Sequence, residues 1–148
     1  MAWTTLSEPD VQTRFAGAEY DALKTKALAS GLTDLVPTII GEVVALIRGY
    51  VAACATNNLS AGETIPGNLK STALDIIRWE MLNRLGLKVA DDRATAYREA
   101  LRRLEKVAAC AFAVDAPDEP TQDTQSGGGV SLISSRDRLT RRDQMAGL

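Results

Sequence analysis

Between Val36 and Cys54 the apolar residues Val36, Ile39, Ile40, Val43, Val44, Ile47, Tyr50, Val51 and Cys54 recur at steps of three and four. A helix turns once in 3.6 residues, so this spacing gathers them on one wide stripe that no strand could reproduce. Such a stripe must be covered, and in a chain without strand-like alternation the cover is further helices. A helix is therefore expected over residues 34–55, with Thr33 or Asp34 as its cap and Pro37 tolerated in its first turn.

The covering helices are legible from their ends. Ser7-Glu-Pro-Asp10 combines an N-cap serine, a first-turn proline and an acid at the capping-box offset, which opens a short helix over residues 7–15. Residues 16–29 continue as helix or helix-like turns with Tyr20, Leu23 and Ala27 on one side and Leu28 at its margin, and Gly31 ends it. After a polar loop over 56–64, Pro66 opens a helix that runs through Leu69, Ala73, Leu74, Ile76, Ile77, Trp79, Met81, Leu82 and Leu85 to Gly86. Its apolar residues exceed one stripe, so it belongs in the middle of a bundle or against a second protein. Asp91 or Asp92 caps the last helix. Ala94, Tyr97, Leu101, Leu104, Val107, Ala108 and Ala111 face inward, while Arg93, Arg98, Glu99, Arg102, Arg103, Glu105 and Lys106 form a solvated face. The expected fold class is all-α, a small helical bundle of four to five helices with an extended C-terminal arm.

At 148 residues the chain suits one domain with extensions. The division falls into a helical domain over 1–112, an acidic Pro/Gly linker over 113–129 and an arm over 130–148. In the linker Asp115, Asp118, Glu119 and Asp123 accompany Pro117 and Pro120 without any Lys or Arg, and three glycines follow at 127–129. The segment Val130-Ser-Leu-Ile-Ser134 then has the length and β-branched content of one strand, and a lone strand is not stable by itself. Adding it to a partner's sheet would satisfy its backbone, and the arginines beyond it would meet acidic surface. Val130, Leu132, Ile133, Arg136, Arg138, Leu139, Arg141, Arg142, Met145 and Leu148 are the expected partner-binding residues. The plain alternative is a disordered tail without consequence.

The chain contains no histidine, which removes the commonest general base and metal ligand and with them most hydrolase and metalloenzyme mechanisms. Asp75 and Arg78 sit one helical turn apart in an apolar segment. Without a second acid or base beside them they read as a structural ion pair that extends to Arg48, rather than as catalytic groups. Ser126-Gly-Gly-Gly129 lacks the lysine and the strand-to-helix setting of a phosphate loop. Cys54 and Cys110 lie far apart among small apolar residues and read as buried free thiols. No enzyme, cofactor or metal is expected. The N-terminus does not have the form of a secretory signal, and no apolar run is expected to span a bilayer, so a soluble protein made in a cytoplasm, with no membrane partner, is anticipated. A net charge of −2 gives no basic excess for duplex DNA. Trp3 and Trp79 are candidate contact aromatics, with a core position favoured for Trp79.

The order of pieces, with Leu46-Ile-Arg-Gly-Tyr-Val51 closing the long helix, Ile65-Pro-Gly-Asn-Leu-Lys70, Ala73-Leu-Asp-Ile-Ile-Arg-Trp79 and Tyr97-Arg-Glu-Ala-Leu-Arg-Arg-Leu104, resembles the head-tail connector, or adaptor, proteins of tailed bacteriophages, and in particular a group similar to a Mu-like virion protein. The resemblance spans Met1 to Phe112. It implies a structural virion protein at the head-tail junction, made in the host cytoplasm, that forms a ring, commonly of twelve copies, beneath the portal. Its implied partners are the portal protein, the next neck or tail-completion protein and further copies of itself, with genome DNA passing through without specific binding. In some relatives the C-terminal segment pairs with the portal, which suits residues 130–148. A small DNA-packaging subunit that binds viral DNA is the other reading, and it would need a convincing basic recognition helix, which the sequence does not offer.

Overall fold

The computed structural model describes residues 2–118 apart from 30, 32 and 33. Within them lie a two-residue strand β1 (Trp3–Thr4), helices α1 (Glu8–Gln12), α2 (Gly17–Ala29) and α3 (Leu35–Ala53), a second strand β2 (Ile65–Pro66), a 3-10 turn (Gly67–Leu69), and helices α4 (Lys70–Arg84) and α5 (Asp91–Ala108). The fold is a small helical bundle, as the periodicities require.

Helices α3, α4 and α5 pack on one another and enclose the core. From α3 come Val36, Ile39, Val43, Val44, Ile47 and Val51, all buried. The Asp34 carboxylate caps this helix by accepting the Val36 N–H at 3.2 Å. Seven residues of α4 are buried, including Leu74, Ile76, Ile77, Met81 and Leu82, so its broad apolar coverage places it at the centre of the bundle. The capping box at α1 forms as well: the Asp10 carboxylate accepts both the Ser7 N–H and the Ser7 hydroxyl, at 3.0 and 2.6 Å. Gly86 takes φ +63° where α4 stops, a conformation that favours glycine.

Several expectations are corrected. Pro66 does not open α4. It is extended, with φ −55° and ψ 134°, because Ile65 and Pro66 are buried and pair antiparallel with Thr4 and Trp3, so the helix begins four residues later. Leu28 points outward and is 56% exposed, since one step past Ala27 turns it about 100° away from the buried side. In α5 the buried residues are Ala100, Leu104 and Val107, with Tyr97 and Leu101 half-buried, and Ala111 is exposed because the helix has already ended at Ala108.

The two cysteines are not free thiols. They form a disulfide with Cα atoms 5.4 Å apart, because α3 and α5 lie side by side and end at the same level. Cys110, with φ +58°, sits just past the end of α5. A separation of 56 residues hid this pairing from a reading of spacing. Helix α3 is also long and apolar enough to cross a membrane, contrary to expectation, although half-burying an apolar helix in a bundle produces the same composition.

Candidate functional site

The three residues expected to form one ion pair group are held apart. Asp75 lies 3.7 Å from Arg14, which also donates to the Ser71 hydroxyl, so α1 and its turn capture the carboxylate. Arg78 forms no ion pair with Asp75 among the described residues, although that carboxylate is among the charges that act on it. Its guanidinium lies 5.6 Å from the centre of the Phe15 ring, and its Nε is buried without a hydrogen-bond partner among the described residues. Burial, and then the neighbouring Arg93, hold its pKa below the usual arginine value. Arg93 itself forms a two-pronged pair with Glu19, which ties α5 to α2.

Arg48 does a different job from the one expected. It donates to the carbonyl oxygens of Thr64 at 2.7 Å and Ser60 at 2.8 Å, and the Trp3 ring centre lies 5.7 Å from its guanidinium. One cation thereby joins α3, the 56–64 loop and the N-terminal strand. Trp3 completes the junction by donating its indole N–H to the carbonyl oxygen of Asp115 at 2.8 Å. The Asp115 carboxylate accepts the Asn68 N–H at 2.8 Å, and Asn68 donates to the carbonyl of Ala113 at 3.0 Å. The chain after Phe112 is therefore fastened back beside the β ribbon. Trp79 is half-buried and stacks on Tyr97 with ring centres 4.7 Å apart, which serves α4–α5 packing.

Beside the ribbon lies an open groove of about 310 Å³. Its apolar surface comes from Leu6, which follows β1, and from Pro37, Ile40, Gly41 and Val44 of α3. Thr5 and two carboxylates, Glu8 and Glu63, complete the lining. Continuing the β1–β2 register past Thr4 and Ile65 brings Leu6 opposite Glu63. Glu8 is neutralised locally: it accepts from Lys24 at 2.6 Å and from the Tyr20 hydroxyl at 2.7 Å, and these bonds hold its carboxyl below the usual range. Glu63 is exposed and makes no ion pair with the described residues.

The outer side of α3 is open too. Gly41, Ala45, Leu46 and Gly49 are exposed, and a Cβ placed on Gly41 or Gly49 would meet nothing within 4 Å. On α5 the exposed Arg98, Arg102 and Lys106 follow one another at four-residue steps, with Glu99 and Glu105 beside them. Among the described residues no group of His, Cys, Asp and Glu could hold a metal ion. The partner-binding residues expected in the arm, Val130, Leu132, Ile133, Arg136, Arg138, Leu139, Arg141, Arg142, Met145 and Leu148, lie outside the described residues. Sequence reasoning missed the groove because its wall depends on Thr5 and Leu6 meeting α3, which no local pattern announces.

The described residues form a small, mostly helical bundle carrying one short two-stranded ribbon. The family described as Bacteriophage Mu, Gp36 matches residues 6–132, and the chain belongs to it, which makes it a phage virion-related protein. The match does not stop at Phe112, where the sequence resemblance ended: it runs through the linker and into the first residues of the arm. No curated protein and no solved structure matches the chain.

Proposed function

We propose that this protein is a structural head-tail connector: copies assemble into a ring beneath the portal, extend the DNA channel and offer a surface to the next neck or tail component. The observation that carries this reading is the family match, which joins helical body, linker and the start of the arm as one unit. A ring needs two different contact faces on each subunit, because a head-to-tail contact that closes is cyclic. Exposed Leu28 at the end of α2 and exposed Leu46 amid the small residues of α3 provide two distinct apolar points for such faces. Twelve copies is the number this reading favours. The arm, through the strand-length segment 130–134 and its arginines, reaches the portal, and the protein acts without catalysis.

The decisive experiment mixes the chain with portal particles and follows co-sedimentation, using the whole protein, a form cut after Asp118, and the Leu132→Asp variant. The cut belongs after Asp118 because residues 113–115 hold Trp3 and Asn68 in place. Binding by the whole chain and its loss in both altered forms is the expected result; equal binding by all three would refute the role of the arm.

A second reading, a small DNA-packaging subunit, draws on the Arg98, Arg102 and Lys106 stripe of α5. The interleaved glutamates reduce the charge of that stripe, and a net charge of −2 favours DNA passing through without specific binding. Binding to duplex DNA measured across salt decides between them: a steep loss of affinity with salt belongs to the DNA-binding subunit alone.

A further inference from the structure

The geometry points to an occupant for the groove between the β ribbon and α3: in the free protein the chain's own arm, residues 130–138, folds back into it. This inference does not rest on the connector reading, since it concerns the chain without any portal.

Position argues for it first. The chain leaves the described body at Asp118, three residues after Asp115 is fastened to Trp3, and Trp3 is only two residues from Thr5, where the groove lining begins. Eleven residues, 119–129, then precede Val130. A tether of that length spans at most about 40 Å when fully extended. A Gly-rich coil of the same length has a root-mean-square span of about 19 Å. The groove thus lies within the reach of the tether, and a short tether presents its end at a local concentration on the order of millimolar. A second copy reaches that concentration only in a concentrated solution.

Chemistry argues for it next. In an extended segment alternate residues share a face, so Val130, Leu132, Ser134, Arg136 and Arg138 stand together, two apolar side chains followed by two cations. The groove has the complementary order of surfaces: an apolar floor at Ile40, Gly41 and Val44, and a carboxylate at Glu63 that has no ion pair within the described body. Backbone pairing is also on offer. Pro66 brings no N–H, so Thr4 and Ile65 are the pair that can exchange both ladder bonds, and the backbone groups of Thr5 then point away from β2. Thr5 lines the groove, and although its carbonyl already accepts the Thr4 hydroxyl at 3.2 Å, its N–H and the second lone pair of that oxygen are groups an extended segment can take up.

The test is methyl and amide NMR on the full chain. In the wild type, the Leu6, Ile40 and Val44 methyl signals should differ from those of Leu132→Asp, and the difference should persist unchanged over a hundredfold dilution. Arg136→Glu combined with Arg138→Glu should move these signals toward the Leu132→Asp positions, and adding Glu63→Arg should move them back. Gly41→Gln, a change to a better helix former that projects into the groove, should reproduce the Leu132→Asp effect on Leu6 and Val44 while leaving the Leu74 and Leu104 core signals in place. Identical groove methyls in wild type and Leu132→Asp would overturn the proposal. So would a difference that fades on dilution, which would mean exchange between copies, or failure of Glu63→Arg to restore the signals.

Discussion

The indole N–H of Trp3 donates to the carbonyl oxygen of Asp115 at 2.8 Å, which brings together residues 112 positions apart. The N-terminal strand and the root of the linker are thereby held as one piece, and Arg48 lies against the same ring. Trp3→Phe keeps most of the apolar contact and removes the donor. It should cost about 1 kcal/mol in a urea titration, the usual net worth of one such bond. Hydrogen exchange should rise at Asn68, whose N–H is held by the Asp115 carboxylate, and stay unchanged in α4. A uniform loss of protection throughout the bundle would mean that Trp3 supports the core instead.

Arg48→Met retains the aliphatic stem and deletes the two charge-assisted bonds to the Thr64 and Ser60 carbonyls. Since bonds of this kind contribute about 1.5–3 kcal/mol, a loss in that range is expected, with the 56–64 loop becoming the first segment to exchange. Asp75→Asn, by contrast, should cost under about 1 kcal/mol, because its contact with Arg14 is a partly exposed pair at 3.7 Å. If both substitutions have equal effects, Arg48 and Asp75 belong to one network after all, contrary to their separate partners.

What could be read in the sequence were the features that repeat or sit next to one another. The α3 stripe, the Ser7–Asp10 capping box and the Gly86 stop depend on spacings of a few residues, and each is present. Features made by distant pieces could not be read. The Cys54–Cys110 bond and the Trp3–Asp115 contact join residues that only the packing of the bundle brings together. Charge pairing, the nearest rule a sequence offers, points Arg48 to a carboxylate; two loop carbonyls, which carry no sequence signal, hold it instead. The start of α4 shifted for a similar reason, since burying Ile65 and Pro66 against β1 outweighed the preference of proline for a first helical turn.

The disulfide closes a loop of 56 residues between the ends of α3 and α5. In the chain-entropy account a loop of that size restricts the unfolded chain by about 4 kcal/mol, with measured values often nearer 2–4. Cys54→Ser with Cys110→Ala, or reduction of the wild type by a dithiol, should lower the urea midpoint by the corresponding amount. The helical circular dichroism should persist below the transition, because Val51, Leu104 and Val107 keep α3 and α5 packed without the bond. An unchanged midpoint on reduction would show that the disulfide contributes nothing to stability.

Acid stability should report on Asp10. Its carboxyl is lowered to about 2, first by the bond from Lys70, at 2.6 Å, and then by the Ser7 hydroxyl, while partial burial opposes both. The folded pKa lies below the unfolded value of about 3.9, so the folded state binds fewer protons in that window. The stabilisation is accordingly complete above about pH 4 and is lost as the pH falls from there through about 2. Glu8 and Glu19, lowered by Lys24 and Arg93 respectively, add slopes of the same sign. Asp10→Asn should reduce stability at pH 7 and flatten its decline between about pH 4 and 2, the window set by these pKa values. Lys70→Met should flatten the same slope less, because the Ser7 contacts remain. Should the wild type and Asp10→Asn decline in parallel as acid is added, the charge on Asp10 is not what holds α1 against α4.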